Sequence, residues 1–239
     1  MENESDERRS APLAATAKRA ARDPERTRLA ILDAATQEFA QNGFGGARVD
    51  AVAARAGSNK RMIYHYFGNK ENLYLAVLDE TYRGIRVAER QLQLGDLPPE
   101  EAMASLVQFT WNYFIAHPEF ISLLNTENLM QAKFLKRSDR IRDLHSPLVD
   151  MLGDLLERGA SAGVFRGGVD PVQLYVSIAA LGFFYLSNRW TLSTIFGRDL
   201  GSGASLKERG EHIVSMVLGY LSPAEQDAQR KSRYGRAMG

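Results

Sequence analysis

The chain of 239 residues contains no cysteine. This absence excludes disulfide bonds, thiolate zinc sites and cysteine nucleophiles, and it suits a reducing cytoplasm. An excess of charge of one sign is also missing, because the formal net charge is only +1. Any affinity for nucleic acid must therefore come from local clustering of basic residues.

Long hydrophobic segments are absent as well. The first seven residues, Met1–Glu7, are acidic and contain no apolar core, so they do not form a signal peptide. The longest nearly apolar run, Leu174–Leu186, is too short to span a bilayer and is typical of a buried helix. We expect a cytoplasmic protein without membrane contact.

The sequence shows no pattern that carries catalysis or metal binding. His117, His145 and His212 are scattered, without a carboxylate or second histidine at ligand spacing. The glycine-rich stretch 197–203 follows no strand and precedes no Lys-Ser/Thr pair, so it is not a phosphate-binding loop. No serine lies in a nucleophile elbow, and no pair of carboxylates stands out. The prediction is no catalytic residue, no metal and no cofactor.

Apolar residues recur at helical spacing along most of the chain, and no stretch alternates long enough to build a sheet. We predict an all-α fold, with an N-terminal three-helix helix-turn-helix domain followed by a helical-bundle C-terminal domain for ligand binding and dimerisation. Helices are expected over residues 25–42, 49–56, 60–67, 70–93, 99–116, 118–131, 138–162 with a kink at Pro147, 170–188, 190–196 and 205–221.

Residues 48–67 have the pattern of a helix-turn-helix motif. Gly57 ends a first short helix, and Asn59 is a good N-cap for a second. Ile63 and Phe67 are four residues apart and face inward, which leaves basic and aromatic residues on the outer faces of the recognition helix. Ten basic and five acidic residues lie between Lys18 and Lys70, an excess of +5 against +1 for the whole chain.

The order Val-Ala-Ala-Arg-Ala-Gly, Asn-Lys-Arg-Met-Ile-Tyr-His-Tyr-Phe and Asn-Lys-Glu-Asn-Leu resembles the TetR family of bacterial transcriptional regulators. The resemblance runs from about Arg26 to Tyr82. Two positions depart from the family pattern. Arg48 stands where the family usually has a serine or threonine N-cap, and Ser58 stands where an apolar residue usually follows the turn glycine. The positions that fall in register are Gly57, Tyr64, Phe67, Lys70 and Leu73.

The resemblance implies that double-stranded operator DNA is the partner. Lys60 and Arg61 are expected at base edges or phosphates, whereas Tyr66 and Lys70 are expected at phosphates. Met62 either touches a thymine methyl group or packs inside. The predicted DNA-binding residues are Arg48, Asn59, Lys60, Arg61, Met62, Tyr64, His65, Tyr66 and Lys70.

Composition and breaks divide the chain into four parts. Residues 1–24 are expected to be a disordered basic arm, which is either a solvated tail or a reader of the minor groove. Residues 25–85 form the predicted DNA-binding domain, and residues 86–225 form the effector-binding and dimerisation domain. Residues 226–239 are a basic tail.

Aromatic residues of the second domain are interspersed with polar ones. These side chains either satisfy one another in a core or line a cavity for a small, flat, neutral organic effector. Residues 183–193 also resemble a branch of the family that includes pyrimidine-responsive regulators, but they do not identify the ligand. The predicted effector-binding residues are Trp111, Phe114, Asn128, Phe183, Phe184 and Asn188.

The sequence thus predicts a homodimer that pairs through helices 170–188 and 205–221. The expected function is a repressor released from a palindromic operator by a small-molecule effector. Two alternatives remain open at this point, a dimeric activator and a regulator without a ligand. A helical enzyme would need a polar catalytic cluster that the sequence does not contain.

Overall fold

The computed structural model describes residues 24–223, apart from the side chains of residues 139–146. The predicted arm up to residue 23 and the predicted tail 226–239 lie outside the described residues. Between residues 24 and 223 the secondary structure is helical, which confirms the all-α prediction. The helices are α1 Pro24–Gly46, α2 Val49–Arg55, α3 Lys60–Phe67, α4 Lys70–Arg90, α5 Pro99–Ala116, α6 Pro118–Leu129, α7 Asp139–Ser161, α8 Pro171–Phe196 and α9 Gly203–Leu221, with short 3-10 helices at Leu94–Asp96 and Leu135–Arg137.

The helices α1, α2 and α3 and the first half of α4 enclose one hydrophobic core, and we call this unit the head. Phe39 and Tyr74 meet edge to face inside it, with their ring centroids 4.9 Å apart. The head also contains two side chains from the second domain. Leu123 of α6 and Phe134 are almost fully buried in the same cluster.

The segment 130–138 joins α6 to α7 and attaches the second domain to the head. The buried Glu127 carboxylate accepts the backbone N–H groups of Phe134 at 3.2 Å and Leu135 at 3.0 Å, which fixes the segment from within. Arg137 then pairs with Glu71 in the first turn of α4 at 2.9 Å. The start of α4 is therefore held by the second domain as well as by its own head.

The second half of α4 packs with α5 to α9 around a larger core. Gly210 lets α9 approach α5 closely, because a Cβ atom there would lie 2.8 Å from the indole ring of Trp111. The Trp111 indole N–H donates to the carbonyl of Leu206 at 3.1 Å. Trp111 is thereby fixed as a core residue between these two helices.

Several helix boundaries differ from the sequence prediction. The helix α1 continues to Gly46, four residues beyond the predicted end at residue 42, across a non-helical Gly43 with φ of 62°. The helix α8 runs without a break to Phe196, whereas the sequence predicts a separate helix from residue 190. No glycine or proline interrupts residues 187–196, and the Asn188 amide donates to the Phe184 carbonyl of its own helix at 2.8 Å. The helix α4 ends at Arg90, three residues before the predicted end at residue 93. The predicted last residue, Gln93, has a left-handed backbone with φ of 46° and cannot continue the helix.

Candidate DNA-binding surface and effector region

The turn between α2 and α3 is built by two residues with local roles. Gly57 has φ of 57°, a conformation that glycine adopts without steric cost. The Asn59 side chain accepts the backbone N–H of Met62 at 3.0 Å and so caps α3. Ile63 and Phe67 are buried on the inner face of α3. These contacts anchor the short helix and leave its outer face in water.

The outer face of α3 presents donors to solvent. Arg61, Tyr64 and His65 are exposed, and 47% of the Tyr64 surface is accessible. No carboxylate in the described part of the chain pairs with the Arg61 guanidinium. Met62 and Tyr66 are half-buried and pack against the head core. A cation beside two exposed aromatic rings on one helix face is suited to contact base edges in the major groove of DNA.

Lys60 already has an ionic partner. Its Nζ lies 2.7 Å from the Asp50 carboxylate of α2, and both side chains are about half exposed. Ion pairs in water contribute only about 0.2–1 kcal/mol, so a phosphate can replace this partner. The pair also places a negative charge beside the first turn of the recognition helix.

Arg48 is the N-cap residue of α2 and makes no side-chain cap bond, but its own backbone N–H has a partner on α1. The Glu38 carboxylate, 4% exposed, accepts the Arg48 backbone N–H at 3.0 Å. It also lies 4.0 Å from the Arg55 guanidinium. The Arg48 side chain is exposed. The sequence prediction missed Glu38, although a carboxylate beside Phe39 in the apolar stripe of α1 is an identifiable signal.

Lys70 lies where the head meets α4. The Asn69 side chain caps α4 by accepting the backbone N–H of Asn72 at 2.8 Å. The Lys70 ammonium is 5.0 Å from the centroid of the Phe44 ring, a cation–π contact that holds it beside the end of α1. The nine predicted DNA-binding residues thus lie at the start of α2, along α3 and at the start of α4.

Three cavities of about 310, 510 and 750 Å³ lie within residues 24–223, and none of them brings the six predicted effector-binding residues together. Trp111 and Phe114 are buried in the second core, where Phe114 stacks on Phe120 with ring centroids 5.6 Å apart. Packing against α6, α8 and α9 occupies both side chains. The aromatic stripe of α5 therefore serves the core.

The other four residues lie nearer the surface. Phe184 is 59% exposed and Asn128 is exposed, while Phe183 and Asn188 are half-buried. Phe184 lines an open groove of about 510 Å³ between α8 and α9. None of the other five predicted residues lines that groove, so the structure does not place the six in a common wall.

A buried polar network inside the second domain was not predicted. Arg86 and Glu89 of α4 are almost fully buried and form an ion pair at 2.5 Å. Arg86 also donates to the Tyr175 hydroxyl of α8 at 2.9 Å. Burial raises the pKa of the Glu89 carboxyl, and the nearby Arg86 opposes that rise. In sequence, two charges three apart on a helix are typical of a solvated face, so no local signal indicates this network.

Known protein families match both parts of this chain. Residues 31–77 match the family described as bacterial regulatory proteins, tetR family, and residues 99–217 match the tetracyclin repressor-like, C-terminal domain. The chain is 42% identical over 180 residues to the HTH-type transcriptional repressor NicS of Pseudomonas putida, covering 75% of this chain and 85% of that protein. It is 37% identical to the HTH-type transcriptional repressor SCO4008 of Streptomyces coelicolor, over 82% of this chain and 98% of that one.

A solved structure shows the same fold. The putative transcriptional regulator SCO4942 from Streptomyces coelicolor superposes with a TM-score of 0.62 at 24% identity, over 82% of this chain and 98% of that chain. Together, the helix-turn-helix head and the matches define a DNA-binding transcriptional regulator. The chain belongs to the TetR family, as the residue patterns indicated. Among the helices of residues 24–223, none is long and apolar enough to cross a membrane.

Proposed function

We propose that the protein is a homodimeric repressor that binds a palindromic operator and is released by a small-molecule effector. The observation that carries the DNA-binding part is the outer face of α3, where Arg61, Tyr64 and His65 stand exposed on a helix fixed by Asn59 and Ile63. Repression is supported by the names of two relatives, NicS and SCO4008, both transcriptional repressors.

The geometry supports distinct roles for two cations of the head. Arg61 has no ionic partner among the described residues and contacts base edges, whereas Lys70 lies at the rim beside Phe44 and contacts a phosphate. We expect Arg61→Ala to weaken operator binding by about 1–3 kcal/mol and to relax base preference. Lys70→Ala should weaken all DNA sequences alike and lower the salt slope by about one.

Fluorescence anisotropy on an operator selected from a random DNA pool, with single-base variants, separates these roles. Arg90→Ala is the matched control, because this exposed arginine lies at the far end of α4, about 30 Å from Lys70. Identical effects of the Arg61 and Lys70 variants across the operator series would refute the assignment.

Dimerisation is supported by an apolar surface on the last two helices. Val176 and Phe184 of α8 and Met216 and Tyr220 of α9 are about half exposed, and all but Val176 line the groove between these helices. Contiguous exposed apolar surface of this kind is typical of an interface. Two such helix pairs related by a two-fold axis would bury it in a four-helix contact.

This surface does not include the apolar residues on the inner faces of the two helices. Ile178, Gly182 and Leu186 of α8, together with Ile213, Val217 and Leu221 of α9, are buried in the chain's own core. We expect Phe184→Asp to give a monomer in sedimentation analysis at micromolar concentration. Val87→Asp, at an exposed valine of α4, is the control and should remain dimeric. A dimer that persists in the Phe184 variant would place the interface elsewhere.

Effector release is supported by the course of α4. This one helix carries Lys70 at the DNA-facing end and Arg86 in the buried network of the second domain, about 24 Å away. A ligand that binds the second domain and tilts α4 would change the spacing of the two heads. Such coupling is typically about 1–3 kcal/mol, which corresponds to roughly 5–150-fold in affinity.

A reporter assay tests repression against the alternative of activation. Deleting the gene should raise expression from a promoter that contains the selected operator, whereas an activator would lose expression. A low-molecular-weight extract of the same cells, titrated into the protein–operator complex, should lower anisotropy if an effector releases DNA. An unchanged complex would favour a regulator without a ligand.

A further inference from the structure

A cleft of about 310 Å³ lies between the head and the second domain, at the edge of the head core, to which its lining residue Leu32 belongs. The helices α1 and α4 form one side, and the end of α5 and start of α6 form the other. Its volume is at the lower end of the range for small-molecule sites. The lining combines apolar, acidic and aromatic side chains, notably Leu29, Asp33, Glu80, Tyr113, His117 and Glu119.

The polar lining is rich in hydrogen-bond acceptors, although the Glu80 carboxylate is already paired with Arg83 at 2.5 Å. The Thr36 and Thr81 hydroxyls donate to carbonyls of their own helices, at 2.9 and 2.8 Å. Only the lone pairs of these hydroxyls remain available to a ligand in the cleft. Asp33 accepts a single bond from Gln37 at 3.3 Å and has no ion-pair partner among the described residues. No lysine or arginine is among the described residues that line the cleft. Such a lining favours a ligand that donates hydrogen bonds and carries positive charge.

The aromatic wall has the same preference. The Tyr113 and His117 rings pack against each other in a tilted arrangement, with their centroids 4.2 Å apart and an interplanar angle of 31°. The His117 Nδ1 lies 2.9 Å from the Glu119 carboxylate and donates to it, which fixes the orientation of the imidazole ring. Burial raises the pKa of Tyr113 to about 12, and the charge of Glu119 adds to that rise. Aromatic faces beside carboxylates attract organic cations.

The shape of the cleft also selects its ligand. Leu29 is about half exposed and offers an apolar surface that a purely inorganic cation would not use. The Tyr113 and His117 rings also line a second, open cavity of about 750 Å³ on the side of α5, where Phe109 extends the aromatic surface. A ligand with a cationic head and an apolar tail would fill the first and extend into the second.

We infer that this interdomain cleft is a binding site for a small organic cation, a protonated amine with an apolar or aromatic body. The ammonium group pairs with Asp33 and the acceptors around it, and the body contacts Leu29 and the Tyr113 ring. The ligand bridges the head and the second domain and is independent of any site inside the second core.

Isothermal titration of the full chain without DNA tests the site with three probes of similar size. These are 2-phenylethylamine, which is protonated at neutral pH, 2-phenylethanol and 3-phenylpropanoate. The amine should bind saturably and about tenfold more tightly than the alcohol, since hydrogen bonds to charged groups are the stronger ones. The carboxylate should not bind. Equal binding of the three probes, or no saturable binding of the amine at millimolar concentration, would overturn the inference.

Variants locate the binding. Asp33→Asn keeps the shape of the side chain and should weaken amine binding by about fivefold or more. Gly84→Ala should also weaken it, because the new Cβ would lie 3.1 Å from the Tyr113 hydroxyl and narrow the cleft. Glu157→Gln, at an exposed carboxylate of α7, should change nothing. Amine binding that is unaffected by Asp33→Asn would place the ligand elsewhere. The titration uses no DNA, so failure here would leave the operator proposal standing.

Discussion

Replacing Asp50 by asparagine should tighten DNA binding. The Asp50 carboxylate holds the Lys60 ammonium at 2.7 Å and adds a negative charge beside the recognition helix. An asparagine at this position would keep the size of the side chain and remove that charge. Lys60 would then face DNA without a competing partner, and the positive charge of the head would rise by one.

The magnitude follows from the exposure of the pair. Both side chains are about half exposed, so the pair contributes at most about 0.2–1 kcal/mol to folding and its loss should barely change stability. Because a phosphate displaces Asp50 from Lys60 when DNA binds, removing the carboxylate should tighten DNA binding by the same energy, about 0.2–1 kcal/mol or roughly 1.4–5-fold per head. Operator and unrelated DNA should gain alike, because a phosphate contact reads no sequence.

Anisotropy titrations of the selected operator and of a scrambled duplex, each over a series of salt concentrations, measure the affinity and the slope together. Asp154→Asn is the control, because this exposed carboxylate lies on α7 outside the head. If Asp50→Asn weakened operator binding and left the scrambled duplex unchanged, Asp50 would be positioning Lys60 for base recognition. That result would show that Asp50 does not compete with DNA for Lys60.

Three further predictions concern stability and use urea denaturation. Glu38→Ala should cost about 1–3 kcal/mol, because the part-buried Arg48 backbone N–H would lose its partner, and a neutral result would contradict the role of Glu38 at the start of α2. Phe134→Ala should cost about 3–5 kcal/mol, because this ring is fully buried in the head, whereas Leu129→Ala, at an exposed side chain, should be neutral. Burial raises the pKa of Tyr82 to about 12, so the folded state favours the neutral phenol. The stabilisation of the fold by the neutral phenol is complete below the ordinary pKa of about 10 and is lost as pH rises toward 12. Tyr82→Phe should therefore reduce the loss of stability at alkaline pH. An unchanged dependence of stability on pH would refute this role of Tyr82.

Local signals were enough for the helix-turn-helix. Gly57 and Asn59 act within three residues of their own position, and the spacing of Ile63 and Phe67 records which face is buried. The sequence therefore predicted the recognition helix with its cap and its exposed face. Contacts that depend on tertiary structure could not be predicted in this way. Glu38, for example, accepts the Arg48 backbone N–H across ten residues and a turn.

In the second domain, aromatic residues of the core and of a ligand site cannot be distinguished from the sequence alone. A core and a ligand cavity both require aromatic residues at helical spacing, so the stripe containing Trp111 and Phe114 fits either. The packing of α9 at Gly210 and the burial of the indole show that Trp111 belongs to the core. Arg86 and Tyr175 are 89 residues apart, and no local pattern relates them.

The burial of Phe134 in the head limits how members of this fold can exchange their DNA-binding heads by recombination. A recombination point at the Gly95–Pro98 break would transfer the head without two side chains of its own interior, Leu123 and Phe134. A head grafted onto a foreign second domain must therefore find matching shapes at both positions, or bring its own α6 and segment 130–138 with it. Mixing heads and second domains from distant relatives is consequently limited by this internal fit as much as by the linker.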